Sequence, residues 1–257
     1  ANKEQRGYIT PQEFNLLANH AQMEIFDQYF HDIKQAERVG GSDQEYSDAL
    51  SMLYAKIGMF EMERGDSWMA TNMLNIVGGL DSATEGNVSV LGNSIDNTSH
   101  NERATGRRKY MGFIFQSYNL LPVYTVFENV ELPLILNKID SNERAKTVNQ
   151  AIEWVGLTDK RDSKPNMLSG GECQRTAIAR AIVHEPALIM ADEPTANLDA
   201  ENSHHIMQIL VKLNKDLSTS FVFATHDEKI MGYLKRILYL DDGQIKKDDE
   251  IKNPKYN

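Results

Sequence analysis

The chain has 257 residues with 27 basic and 37 acidic side chains, a net charge of −10 and an ordinary hydrophobic share of 41%. That length allows one large domain or two smaller ones, and the acid excess argues against a nucleic-acid footprint, which needs clustered Lys and Arg. The single Cys173 excludes an intrachain disulfide and fits a reducing compartment. No apolar run approaches the length of a membrane span and no charged-then-apolar signal opens the chain, so a cytosolic protein is expected. The acids are unevenly spread. Residues 1–66 carry 6 basic and 12 acidic side chains against 21 and 25 in the remainder, which predicts two modules, 1–66 and 67–257.

In chain order, Thr10-Pro11-Gln12-Glu13 reads as a capping box with Pro in the first helical turn. Phe14, Leu17, Ala18, Ala21, Ile25, Tyr29 and Ile33 then recur at helical spacing until Gly40-Gly41. Ser42-Asp43-Gln44-Glu45 repeats the capping pattern, and Tyr46, Leu50, Leu53, Ile57 and Phe60 mark a second amphipathic helix. Residues 10–62 therefore read as an α-helical hairpin. His20 and His31 lack the spacing of a metal pair on one helical face and read as surface or packing residues.

After a break at Gly65-Asp66-Ser67, Trp68 to Val77 forms a short helix closed by Gly78-Gly79. Asn87 to Leu91 and Tyr110 to Phe115 read as strands, the second ending at Gln116, and Arg107-Arg108-Lys109 as a solvated lead into it. Residues 125–165 are helical in pattern, with Pro133 and Gly156 as punctuation. At Ser169-Gly170-Gly171 a Ser and two glycines open a helix reaching about Val183. Such a start offers free backbone N–H groups and partial positive charge to a phosphate, although an ordinary Ser N-cap reads the same way.

Ala187 to Ala191 is a short apolar run that ends in Asp192-Glu193-Pro194. A strand covered on both faces looks like this, and carboxylates at its C-terminal end lie where open α/β sheets bind ligands. A helix from Glu201 to Leu217 follows, with His204 and His205 exposed. Phe221 to Ala224 is a further buried strand, and its end carries His226 to the same sheet edge as the two acids. Ile237–Leu240 and Gln244-Ile245 close the pattern as a hairpin, and the tail beyond Lys246 reads as solvated.

In the order Gln116, Leu168 to Arg175, Ala187 to Asp199 and His226, these elements resemble the nucleotide-binding subunit of ABC transporters. Phe113 to Pro122 and Ala191 to Thr195 look most like its lipoprotein-release and macrolide-export branch. The resemblance implies an α/β fold, a mostly parallel P-loop NTPase-like sheet with a helical subdomain over about residues 118–183. It implies ATP and Mg2+ as cofactors, and a dimer of such subunits, like or unlike, docked on an integral-membrane permease at the inner face of the cell membrane. Gln116 would be the Q-loop residue that touches the metal. Ser169, Gly170 and Gly171 would close over ATP held by the opposite subunit. Asp192 would hold Mg2+ through water, Glu193 would be the general base, Asp199 the D-loop acid and His226 the switch histidine. Cys173 reads as a small helix residue.

Glu172 is a mild departure from the family pattern, and one departure is severe. A P-loop, G-x-x-x-x-G-K-[ST], cradles the phosphates with its backbone N–H groups and Lys, yet no Gly-Lys dipeptide occurs in the sequence. Counted back from Met73 to Asp81, which looks like the helix that follows that loop, Ala70 stands at the Lys position and Thr71 at the metal-binding hydroxyl. The glycine loop and its preceding strand are absent, and the family's opening strands give way to the helical hairpin. Gly7 to Asn15 resembles small virion structural proteins of tailed phages, so residues 61–72 read as a junction. The expectation is an ATPase subunit impaired by loss of the loop. The alternatives are an inactive binding module and a hairpin that carries its own virion or oligomer-forming function.

Overall fold

The computed structural model describes residues 65–251 apart from 84, 96–97 and 242–243. The helical hairpin expected over residues 10–62, with its phage-like stretch, lies outside the described residues.

The first described helix, α1, spans Gly65–Val77 and runs through the break expected at Gly65 to Ser67. It ends as expected. Gly79 adopts φ +65, a conformation that costs glycine nothing, and Leu80 N–H returns to the carbonyl of Asn75. The expected strand over 87–91 contracts to β1 (Ser89–Val90), paired antiparallel with β2 (Asn93–Ser94).

Helix α2, His100–Tyr110, has no apolar stripe and was not legible from periodicity. It is fixed at its start by a reciprocal capping box between Ser99 and Glu102. Arg107-Arg108-Lys109 is its last turn rather than a solvated lead into a strand. Arg107 is buried and donates to the carbonyl of Gly79 at 2.5 Å. Burial, helped by the neighbouring Arg103 and Arg108, lowers its pKa to about 10.

Three strands form the parallel sheet, in the order β3 (Met111–Ile114), β4 (Leu188–Asp192) and β5 (Ser220–Ala224). The connection from β3 to β4 carries α3 (Val126–Leu136), α4 (Ser141–Trp154) and α5 (Gly170–Ile182). Pro133 lies inside α3 and does not end it; Gly156, at φ +66, terminates the turn after α4. From β4 to β5 the chain passes through α6 (Ala200–Leu217), whose N-cap is Asp199. The short α7 (Glu228–Met231) leads to β6 (Arg236–Asp241), paired antiparallel with β7 (Gln244–Glu250). The tail expected to be solvated thus extends the closing hairpin as an exposed strand.

Register explains the core. Gly112, Ile114, Ile189, Ala191, Phe221 and Phe223 pair across the sheet, and all but the glycine pack into the larger hydrophobic cluster with α3, α5 and α6. Met111, Phe113, Leu188, Met190, Val222 and Ala224 alternate with them and pack on the other face with Leu74 of α1. All of β4 is buried, as its apolar run predicts. Phe221, Val222 and Phe223 are only half-buried, so the buried strand expected there is corrected to a partly exposed strand at one end of the sheet among the described residues, whereas β3 at the other end is mostly buried. No described helix is long and apolar enough to cross a membrane.

Candidate functional site

The alternation along β4 decides how its acids are used. Asp192 pairs with Ala224 and continues the face covered by α1. Thr71, on that helix, donates its hydroxyl to Asp192 Oδ1 at 2.7 Å, with both residues buried. Glu193 follows in a left-handed conformation, φ +42, which turns its carboxylate toward the end of β5. Its Oε1 lies 2.5 Å from Nδ1 of His226 and accepts the His226 backbone N–H at 3.1 Å, while Thr225 Oγ1 donates to Oε2 at 3.2 Å. The Glu193 side chain is 4% exposed and the His226 side chain 75%, so the pair runs from the interior to solvent.

In the turn two residues beyond β3, Gln116 is exposed, and its carbonyl accepts from Asn197 Nδ2 at 2.9 Å. The loop after it carries Tyr118 and Asn119 at positive φ, 63 and 46, and Arg180 of α5 donates to both their carbonyls at 2.8 and 2.5 Å. Gln174, fully buried, donates to the Pro194 carbonyl at 2.7 Å and so fastens α5 to the turn after the acids. The periodic reading assigned no role to Arg180 or Gln174. Their only signal is two polar side chains on a helix that is otherwise buried along most of its length.

Ser169 caps α5 in a reciprocal capping box with Glu172, and its hydroxyl and the first glycine stay exposed. The Ser169 N–H and hydroxyl hold the Glu172 carboxyl below the ordinary carboxylate range. Both glycines sit close to neighbouring side chains, which a Cβ would oblige to shift. A Cβ on Gly171 would stand 2.7 Å from Asn202 Oδ1, and one on Gly170 3.2 Å from the Tyr118 hydroxyl. Asp199 accepts from the Asn202 N–H at 2.9 Å and from its side chain at 2.6 Å, which lowers its pKa at an exposed site. Cys173 is buried with burial raising its thiol pKa, as expected of a packing residue. His204 and His205 are exposed, and His204 meets the Tyr233 hydroxyl.

The structure thus brings Thr71, Asp192, Glu193 and His226 together at the C-terminal edge of the parallel sheet, where ligands of such sheets bind. Ser169, Gly170, Gly171 and Asp199 form a second exposed cluster at the starts of α5 and α6. The donors in the first cluster are a hydroxyl and carboxylates, the hard oxygen set that suits Mg2+. No group of three or more His, Cys, Asp or Glu side chains gathers as a metal cage among the described residues. Such a site would fill its remaining positions from water and phosphate, as Mg2+ prefers.

The ABC transporter family model matches residues 70–196, a span that holds Thr71, the start of α5 and both acids. The lipoprotein-releasing system ATP-binding protein LolD of Francisella tularensis is 47% identical over 176 residues, which cover 68% of this chain and 76% of that protein. The chain belongs to the ABC transporter family. An ABC transporter ATP-binding protein of Methanocaldococcus jannaschii, MJ1508, is 40% identical over 215 residues, covering 82% of this chain and 96% of its own length. The ATP-binding cassette MJ0796, solved as a dimer in a post-hydrolysis state bound to ADP and Pi, superposes with a TM-score of 0.66 at 39% identity over 71% of this chain and 81% of its own. The parallel α/β architecture expected from the motifs is the one these relatives share, and the resemblance to the lipoprotein-release branch is borne out at the level of the ATP-binding subunit.

Proposed function

We propose that this chain is the ATPase subunit of a lipoprotein-release type exporter, acting as a dimer on a membrane permease at the inner face of the cell membrane, with turnover weakened by the lack of a Gly-Lys phosphate loop. The observation that carries the reading is the buried 2.7 Å contact between Thr71 and Asp192 beside the Glu193–His226 pair. A hydroxyl and a carboxylate are held where a metal-bound triphosphate would lie. A second carboxylate, steered by a histidine, is held where it can take a proton from water. Gln116, in the turn after the adjacent strand, would reach the same metal. Ser169, Gly170 and Gly171 would close over the nucleotide of the opposite subunit, with Asp199 beside them.

The weak step is phosphate binding. Most ground-state contacts to the β- and γ-phosphates come from the loop that this sequence lacks, and the two acids face a polyanion with little to neutralise it. Calorimetric titration with Mg-ATP is expected to show binding at least tenfold weaker than that of the Francisella relative, and Glu193→Gln is expected to abolish what turnover there is. Turnover that survives Glu193→Gln overturns the assignment of the general base.

The second reading rests on the exposed, capped start of α5. Paired with an intact relative, Ser169 would complete the partner's site although this chain hydrolyses nothing itself. In a mixture with that relative, turnover lost on Ser169→Arg but indifferent to Glu193→Gln selects this reading; the reverse pattern selects the first.

A further inference from the structure

The loop that carries Gln116 is held in a conformation that its residues do not favour. Tyr118 and Asn119 stand side by side in the left-handed region, φ 63 and 46, which Asn tolerates and a bulky aromatic residue rarely adopts. Arg180 of α5 keeps them there. It donates through Nη2 to the Tyr118 carbonyl at 2.8 Å and through Nη1 to the Asn119 carbonyl at 2.5 Å, while the Asn119 N–H returns to the Ser117 carbonyl at 2.7 Å. Arg180 is only 5% exposed, so both charge-assisted bonds are made away from water, where they are strongest.

The consequence of this strained turn is the place it gives the Tyr118 ring. The hydroxyl lies so near Gly170 that a Cβ there would stand 3.2 Å from it. Burial raises the Tyr118 pKa, and the neighbouring Cys173 adds to the rise. Gly170 and Cys173 are three positions apart on α5 and so share one face of the helix; the ring therefore covers the first turn of α5. A loop relaxed out of the left-handed region would turn the ring away, because backbone φ and ψ set the side-chain direction. At the other end of the loop, Asn197 holds the Gln116 carbonyl at 2.9 Å. A continuous chain of bonded and packed groups thus runs from Gln116 through Tyr118 to the start of α5, and Arg180 of the same helix closes it.

We infer that Tyr118 and Arg180 are positioning residues that join the Gln116 loop to the start of α5, so that Gln116 and the Ser169-Gly170 cluster move together. The use of this joint rests on the nucleotide reading: a metal drawn to Gln116 would set the placement of Ser169 and Gly170 toward a phosphate.

Cys173 is the one cysteine of the chain, and it is buried beside the Tyr118 ring. Its alkylation by iodoacetamide, in the full chain without nucleotide, therefore reads the joint directly. Arg180→Gln and Tyr118→Ala are each expected to speed labelling about tenfold, the order that one lost charge-assisted bond gives a local opening. Tyr118→Phe, which keeps the ring, is expected to label at the wild-type rate. Asn197→Ala, which releases only the Gln116 carbonyl, is expected to speed labelling in the same direction. Glycine adopts the left-handed conformation freely, so adding Asn119→Gly to Arg180→Gln is expected to restore most of the protection, which a role of Arg180 in packing alone would not allow. If urea unfolding shows that Arg180→Gln does not fold, Arg180→Lys keeps one donor and is expected at an intermediate rate, again slowed by Asn119→Gly. A wild-type rate in Tyr118→Ala, in Asn197→Ala or in the folded Arg180 variant overturns the inference, as does fast labelling that Asn119→Gly leaves unchanged. Labelling needs no nucleotide, so an inert ATPase leaves the result standing, and failure here leaves the Glu193 assignment untouched.

Discussion

The two neighbours of β4 are treated differently by the same sheet. β3 is pressed against α5 so closely that a Cβ on Gly112 would stand 2.3 Å from the Ala181 carbonyl oxygen, and the His184 ring reaches back to the Met111 carbonyl at 3.0 Å. β5 is half-buried, and its far side opens on a cavity before β6. The catalytic-type pairs nevertheless form on this looser side, because Asp192 is anchored by Thr71 of α1 and Glu193 by the turn after β5. The acids are held by the burial of β4 and by side-chain bonds, from Thr71 to Asp192 and from Thr225 and His226 to Glu193.

The largest expected effect tests the burial of the centre. Ile189 is fully buried, and Ile189→Ala removes its packing in the cluster with α3, α5 and α6, at a cost of about 4 kcal/mol. Its register partner Phe221 is half-buried, and Phe221→Ala is expected to cost about 2 kcal/mol despite the larger side chain. Urea unfolding at neutral pH checks both, and equal losses would break the contrast between the strands. Gly112→Ala sets a Cβ against backbone that cannot rotate away, so a loss of about 3 kcal/mol is expected in the same measurement.

Thr71→Val sharpens the contrast from the other side. It keeps the shape and removes a buried donor to Asp192, and is expected to cost about 1–2 kcal/mol. The cost should shrink when Asp192 is replaced by Asn in a double-mutant cycle, which isolates the pair from the packing of α1.

The smallest effect is a pH dependence on the β3 side. Burial lowers the His184 pKa from 6.5, the Met111 carbonyl opposing it in part, so the fold holds the neutral ring. As pH falls below 6.5 the unfolded chain takes up a proton that the folded chain refuses, and stability falls until the lowered folded pKa is passed. Unfolding midpoints at pH 7.5, 6.5 and 5.5 are expected to drop across this series, and more steeply than in His184→Gln. A slope unchanged by that substitution would remove His184 from the account.

Much of the site could be read along the chain because its signals are local. An apolar run ending in Asp192-Glu193, a Ser and two glycines opening α5, and His226 at the end of a strand each follow from strand and helix chemistry over a few residues. Helix α2 escaped this reading because capping, not periodicity, defines it, and Arg107 was misplaced with it. Arg180 and Gln174 escaped because a helix interior gives no sign of the distant carbonyls they reach.

By itself, then, the sequence determined the α/β pattern, the order of the motifs and the missing Gly-Lys dipeptide, since these reside in spacing and residue type. Only the tertiary structure decided that Thr71 meets Asp192 across 121 positions of sequence, that β5 is a partly exposed strand at one end of the sheet among the described residues, and that a cavity lies between it and β6. Those facts depend on which strands lie side by side, and a sheet sets its neighbours through backbone groups that every residue carries alike.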